Sequence, residues 1–293
     1  MERLLEVIGR ETEAGYQHAF VLTRNVRDAV WEGTRYVSFV AAFARAISRT
    51  VANTGRLAAR YSISQGIVLY RDGQIVTDNA DADLRKFIDL TGLRDAVVVS
   101  ERTADDLHRH LMEPADVLPR LYLFLRDERT RNSLVIDGAE YLVAGGGEGR
   151  HDAFHDRAVM ELLQSWARDS SLRRTGGCIA FVCPEVGAIP PDIVRGDGGF
   201  RVLPIDYPDV DERRAFARRL GLGEEEAAVV ANLTTGFRRL DVHEAVTRRF
   251  KNEEIARTCR ALKAGASKRH DVLQQLPLAR GGQGITGLEH TTM

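Results

Sequence analysis

The segment NSLVIDGAEYLV, residues 132–143, carries the strongest indication of the fold. Residues 133–136 read SLVI and are apolar after the serine, which is typical of a strand that is buried on both faces of a sheet. Asp137 follows directly, so this strand delivers a carboxylate at its carboxyl end. Open α/β sheets bind their ligands at the carboxyl ends of parallel strands. The segment therefore predicts an α/β protein with a polar site beside Asp137.

Short apolar runs alternate with helical patterns on both sides of this segment. The runs predicted as strands are residues 19–22, 57–64, 66–70, 96–99, 176–183 and 200–205. The patterns predicted as helices are residues 2–14, 26–43, 81–90, 103–112, 114–126 and 153–166. Such alternation favours a parallel sheet that is covered by helices on both faces, a three-layer arrangement.

The character of the chain changes near Pro208. Four helical patterns follow without a strand between them, at residues 209–222, 224–233, 240–250 and 252–265. The end of the chain is rich in glycine and polar residues, which is typical of a linker or a frayed end. We therefore expect an α/β subdomain over residues 1–206, a helical subdomain over 207–270 and a flexible tail over 271–293.

The composition excludes several classes of function. Forty-one basic residues and 42 acidic ones leave a net charge of −1, so no overall field attracts nucleic acid or anionic lipid. The three cysteines form neither a disulfide framework nor a paired zinc motif. No export signal and no run long enough to span a membrane is present in the sequence. We expect a cytoplasmic protein that binds neither membranes nor nucleic acid.

A phosphate-binding Walker A loop is missing from the sequence. Such a loop needs a lysine directly after a glycine, because the ammonium group must reach the β- and γ-phosphates. The chain has four lysines, and none of them follows a glycine. After the first predicted strand, residues 23–28 read TRNVRD, and these side chains would fill the space that a phosphate needs. We therefore expect no bound nucleotide.

Asp137 has the position of a Walker B aspartate, which holds Mg²⁺ in nucleotide-hydrolysing enzymes. The next residue is Gly138 where a catalytic glutamate would polarise water, and the nearest acid is Glu140. His151 and His155 have the spacing of two zinc ligands on a helix, but no third ligand is evident, and we interpret them as part of a solvated helix start. The sequence thus predicts no metal site and no catalytic residue.

The order of these segments resembles that of an AAA+ ATPase. Residues 193–220 are similar to the strand and Pro-Asp turn that lead into the family's helical lid, and LTTGFRRLDVHEAV, 233–246, is similar to its sensor 2 region. The opening segment 14–31 also resembles the first, P-loop-deficient unit of tandem AAA ATPases encoded by chloroplast and cyanobacterial genomes. The resemblance implies a P-loop-NTPase-like sheet followed by an all-α lid.

The resemblance also implies roles for individual residues. Asp137 and Glu140 correspond to a degenerate Walker B site, and Arg238 and Arg239 occupy the sensor 2 turn, where they would face a phosphate. Arg195 matches the first arginine of the arginine-finger region, from which it would act on a neighbour's nucleotide. Cys183 or Pro184 stands where sensor 1 supplies a polar side chain.

Three functions follow as hypotheses. The first is a catalytically degenerate AAA+ unit that acts as a scaffold or regulator for an ATPase-competent AAA+ subunit, or that assembles with its own copies. The second is an ATPase in which Asp137 binds Mg²⁺ and Arg24 or Arg27 replaces the missing lysine, since arginine grips phosphate bidentately. The third is a DNA-interacting protein that uses the lid's arginines, which the near-neutral net charge disfavours.

Overall fold

The computed structural model describes residues 1–32, 35–49, 57–98, 113–128, 130–142, 153–194 and 199–247, without the side chains of 153–156. The chain divides into two compact units, Met1–Asp206 and Tyr207–Met293. Within the described ranges, no helix has both the length and the apolar character that crossing a bilayer requires. Each unit is described by itself below.

The first unit is built on a seven-stranded sheet. Its strands are β1 (Ala19–Arg24), β4 (Leu57–Ser62), β5 (Gly66–Arg71), β6 (Gln74–Ile75), β7 (Ser133–Asp137), β8 (Ile179–Val182) and β9 (Arg201–Ile205), in the spatial order β6-β5-β4-β7-β8-β1-β9. Neighbouring strands among β4, β7, β8, β1 and β9 pair in parallel. At one edge β5 pairs antiparallel with both β4 and β6. The predicted parallel sheet is confirmed, with an antiparallel hairpin added to it.

Helices cover both faces of this sheet. They are α1 (Glu2–Glu13), α2 (Phe39–Arg49), α3 (Ala82–Thr91), α4 (Pro114–Leu125), α5 (Ala153–Arg168), α6 (Ser170–Thr175) and α7 (Pro191–Val194). Successive side chains of a strand point to opposite faces, so Val21 packs in the core beneath α3, α4 and α5, whereas Phe20 packs in the core beneath α1 and α2. Two separate apolar cores hold one sheet between two helical layers, which confirms the three-layer α/β architecture.

The helix predicted over residues 26–43 is wrong in its first half. A short 3-10 turn, Asn25–Arg27, is followed by a hairpin of β2 (Ala29–Glu32) and β3 (Arg35–Ser38), and α2 begins only at Phe39. Trp31 lies opposite Tyr36 in the hairpin, with ring centroids 4.8 Å apart. Aromatic and β-branched residues favour cross-strand pairs, and here that preference outweighs the helical spacing of the apolar residues.

Of the strand predicted at residues 96–99, the described residues 96–98 form a single bridge. Residues Arg94–Ala96 form a 3-10 turn, and Val97 alone bridges to Ile67. Four apolar residues are too few to distinguish a strand from a buried loop by sequence. The helix predicted over 103–112, the glycines 145–147 and His151 lie outside the described residues, as does the side chain of His155.

The second unit contains three described helices, α8 (Val210–Arg219), α9 (Glu224–Leu233) and α10 (Arg239–Thr247). Asp209 and Glu212 form a reciprocal capping box that fixes the start of α8. The buried Arg213 of α8 donates from Nε to the carbonyl oxygen of Ala231 in α9 at 3.0 Å. This bond and the apolar contacts join α8 to α9. The fourth helical pattern, 252–265, and the tail from 271 lie outside the described residues.

Gly177 provides a test of how tightly β7 and β8 are joined. A Cβ atom at this buried glycine would collide with the carbonyl oxygen of Asn132, which precedes β7. We expect Gly177→Ala to lower the free energy of unfolding by about 1–3 kcal/mol, because backbone must move to make room. Gly187→Ala is the control, since a Cβ there meets nothing within 4 Å. Equal denaturation midpoints for the two variants would contradict the packing described.

Candidate functional site

The predicted site lies at the carboxyl end of β7. Asp137 is the last residue of this strand and pairs with Val182 of β8. Gly138 then adopts a left-handed conformation, with φ of 76°, and its N–H donates to the carbonyl oxygen of Val182 at 3.1 Å. The following 3-10 turn, Ala139–Tyr141, carries Glu140. A left-handed turn of this kind favours glycine, so Gly138 has a conformational role.

Arg27 binds both carboxylates of the site. Its Nη2 lies 2.8 Å from Oε1 of Glu140, and its Nη1 lies 3.3 Å from Oδ1 of Asp137. The arginine side chain is 39% exposed, whereas the two acids are only 17% (Asp137) and 12% (Glu140) exposed. A guanidinium therefore stands beside the Walker-B-like acid, in a position where a metal ion would otherwise balance the negative charge.

The segment that carries Arg27 is fixed by its own contacts. Asn25 is buried and donates from Nδ2 to Oδ2 of Asp28 at 3.0 Å and to the carbonyl oxygen of Asp206 at 3.2 Å. Val26 is 1% exposed and packs in the core beneath α1 and α2. A phosphate loop instead presents its backbone N–H groups to the ligand around an open space. In this chain the side chains of Asn25, Val26 and Asp28 are instead buried in the turn that follows β1.

The charges of the site influence one another through partial burial. Burial raises the pKa of Asp137 above its ordinary value of 3.8, and the positive charges of Arg60 and Arg27 only partly offset this effect. Burial by itself would lower the pKa of Arg27, but the hydrogen bond to Glu140 and the charge of Asp137 raise it overall. The arginine is thus held as a permanent cation between two acids.

The residues predicted at the sensor 1 position, Cys183 and Pro184, follow β8 directly. Cys183 is fully buried, and burial raises the pKa of its thiol to about 12, with the charge of Glu140 adding to the effect. The carbonyl oxygen of Pro184 accepts a hydrogen bond from the N–H of Arg24 at 2.8 Å. Neither residue presents a polar side chain that would orient water for attack on a phosphate.

Arg24 ends β1 in a strained conformation. Its φ of 71° and ψ of −104° lie in a region that residues with a side chain rarely adopt. The residue is exposed, and its guanidinium forms no ion pair with any acid in the described part of the chain. Strain of this kind is concentrated at functional positions, where the surrounding structure imposes it.

The sensor 2 arginines contact acids of their own unit. Arg238 donates from Nε and Nη2 to the two carboxylate oxygens of Asp241, at 3.0 and 2.7 Å. Nη2 of Arg239 lies 3.0 Å from Oε1 of Glu212. Arg195, the predicted arginine finger, lies outside the described residues. The structure thus brings together Asp137 and Glu140, and it pairs each sensor 2 arginine with an acid.

The ion pairs of Arg27 were not predicted from the sequence. Arg27 was expected to bind phosphate as an alternative to lysine, whereas its guanidinium is engaged by Asp137 and Glu140, 110 and 113 residues further along the chain. Arg60 of β4, which is buried and whose charge acts on Asp137, was also missed. The available signal was a basic residue after β1 and another within β4, on strands that flank β7 and β8.

Comparison with known proteins identifies the first unit. A sequence model of the family described as "AAA+ chaperone, N-terminal Rossmann-like domain" matches residues 5–206. No curated protein matches the chain. Among solved structures, a chain of the E. coli MS115-1 HORMA:CdnC:Trip13 complex is similar, with 15% identity and a TM-score of 0.37. The alignment covers 50% of the present chain and 56% of that chain, so it spans little more than half of the other chain's length.

The raised pKa of Asp137 predicts that Asp137→Asn stabilises the protein at neutral pH. An acid whose pKa is raised on folding favours the folded state at low pH and loses that contribution as pH rises through its folded pKa. At pH 7 the buried charge is therefore unfavourable, and we expect the variant to gain about 0.5–1 kcal/mol. Urea denaturation at pH 7 and below pH 3.8 measures the difference, which should vanish at the lower pH. A loss of stability at pH 7 would show that the ion pair with Arg27 outweighs the cost of burial.

Proposed function

This chain belongs to the family of AAA+ chaperones with an N-terminal Rossmann-like domain, and from that premise we propose that it is a catalytically degenerate, AAA+ ATPase-like unit. Its role in this proposal is to support an ATPase-competent AAA+ partner as a scaffold or regulatory subunit. The observation that carries the proposal is the pairing of Arg27 with Asp137 and Glu140.

Arg27 is a poor substitute for the cations of a working nucleotide site. Mg²⁺ carries two charges and coordinates phosphate oxygens directly, in near-octahedral geometry. A guanidinium carries one charge, and here it donates to the two acids that a magnesium ion or its water ligands would contact. Without backbone amides and a lysine around the phosphates as well, the charge of a triphosphate is not neutralised.

A unit of this kind has a function that does not depend on its own hydrolysis. An active AAA+ subunit needs a neighbour that presents a complementary surface and an arginine to its nucleotide. A site held by internal ion pairs binds no nucleotide in this proposal, so it does not switch between nucleotide states. In our proposal the chain therefore gives the assembly a constant interface, and Arg195 serves as the arginine that acts on the neighbour.

A second candidate function is nucleotide binding at an atypical site. The observation that favours it is Arg24, which is exposed at the carboxyl end of β1, forms no ion pair with the described acids and has a strained backbone. Arginine binds phosphate bidentately, so Arg24 would take the part of the missing lysine. This candidate requires Arg27 to release Asp137, so that Mg²⁺ can bind there.

Calorimetric titration with Mg-ATP distinguishes the two candidates. For the degenerate unit we expect no saturable binding near millimolar ligand and no ATP hydrolysis above the uncatalysed rate. We further expect Arg27→Ala to gain a weak Mn²⁺ site, because Asp137 and Glu140 lose the cation that neutralises them. Arg24→Ala is the matched control, and it should gain no such site. Saturable Mg-ATP binding by the unaltered protein that is lost in Arg24→Ala would establish the second candidate instead.

Assembly tests the proposed scaffold role. In sedimentation velocity at micromolar concentration, we expect either self-association or a complex with an ATPase-competent AAA+ subunit produced together with this chain. Arg195→Ala should leave that complex intact and lower the partner's ATPase rate about 10³-fold, the usual effect of losing an arginine finger. Arg94→Ala serves as the control for removing an exposed arginine. A protein that stays monomeric, and that leaves the partner's ATPase rate unchanged, would contradict the scaffold role.

A further inference from the structure

An open cleft of about 650 Å³ lies at the end of the sheet opposite to the end at which Asp137 lies. It is formed by three segments, each of which precedes a parallel strand: the end of α1 before β1, Arg131 before β7, and α6 with Gly176 before β8. These are the amino ends of the strands, whereas Asp137 ends β7. Ligands of open α/β sheets usually bind at the carboxyl ends of the strands. The cleft lies at the amino ends, so it is separate from the site described above.

Three arginines line this cleft, namely Arg131, Arg173 and Arg174. In the part of the chain that the structure describes, none of the three forms an ion pair with an acid. Arg131 packs against the backbone of Gly176, since a Cβ atom there would lie 3.4 Å from its Nε. Glu13 also lines the cleft, but it is a single carboxylate facing three positive charges. The cleft therefore has an excess of positive charge.

The guanidinium of Arg173 is only partly satisfied by the protein. Its Nη2 makes a long hydrogen bond of 3.4 Å to the carbonyl oxygen of Ala167. Its Nε is buried and has no hydrogen-bond partner. A guanidinium offers five N–H donors, and leaving them unpaired away from water is unfavourable. A small rotation of this side chain toward an anion in the cleft would supply the missing acceptors.

We propose that this cleft binds a small multivalent oxyanion, a polyphosphate or a polycarboxylate. Guanidinium groups bind both kinds of oxyanion through paired N–H···O bonds, which are stronger than bonds between neutral groups. The volume lies in the range of small-molecule sites, and three separate cations favour a ligand with several charges over a monovalent one. The proposal concerns the amino ends of the parallel strands alone and does not depend on the state of the site at Asp137.

Calorimetry at low ionic strength tests the proposal, with inorganic triphosphate and citrate as the two probes. We expect one molecule of at least one probe to bind, and we expect Arg131→Gln and Arg173→Gln each to weaken binding about tenfold, since each removes charge-assisted hydrogen bonds. Arg94→Gln removes an exposed arginine elsewhere and should bind as the unaltered protein does. Binding of triphosphate alone identifies a phosphorylated ligand, and binding of citrate alone identifies a carboxylate ligand.

Glu13→Gln keeps the test decisive if the arginine variants fold poorly. This change removes the one carboxylate that lines the cleft, so we expect it to strengthen binding of either probe about two- to threefold. Three results would overturn the proposal: no heat with either probe up to about 10 mM, a far weaker affinity than a specific site gives; equal affinities in the unaltered protein and in all the cleft variants; or loss of binding in Arg24→Gln alone. The last result would place the anion at the carboxyl end of β1, where Arg24 lies.

Discussion

Two carboxylates that are largely withdrawn from water must be balanced by positive charge, and the structure around β7 depends on how this is done. Asp137 and Glu140 are held close to one guanidinium, that of Arg27. An uncompensated charge in such surroundings costs several kcal/mol, so a nearby cation stabilises both carboxylates. The protein supplies that cation from its own chain, through the turn that follows β1.

This solution involves the backbone as well as the charges. Gly138 turns the chain in a left-handed conformation directly after Asp137, and the 3-10 turn that follows brings Glu140 to Arg27. On the other side, Asn25 anchors the arginine's turn to Asp28 and to the end of β9. A glutamate at position 138 would strain this turn. Glycine at this position thus agrees with the use of Glu140 as the second acid.

The carboxyl ends and the amino ends of the parallel strands differ in their charge balance. At the carboxyl ends Arg27 is matched by two acids, and a chain of contacts links β1, β7 and β8. At the amino ends Arg131, Arg173 and Arg174 line an open cleft together with the carboxylate of Glu13. The family model matches residues 5–206, which contain both ends of the parallel strands. The same domain therefore has a second surface, at the amino ends of its strands, whose charge is not balanced internally.

The sequence by itself determined the features that depend on near neighbours along the chain. Short apolar runs located β1, β4, β5, β7, β8 and β9, and the lack of a lysine after any glycine excluded a Walker A loop, because both are properties of short segments. The order of those segments also indicated the AAA+ family. The hairpin of β2 and β3 was mistaken for a helix. The apolar residues around Val30 and Val37 fit both the helical period and the strand period, and only packing distinguishes the two.

Tertiary structure alone decided which charges meet. Arg27 and Glu140 are 113 residues apart, and Glu13, Arg131 and Arg173 come from three distant segments of the chain. No local pattern records that β1 lies two strands from β7, so no reading of the sequence distinguishes an arginine that binds phosphate from one that neutralises an aspartate. The energy of a charge depends on its distance from its partners and on its burial, and folding sets both.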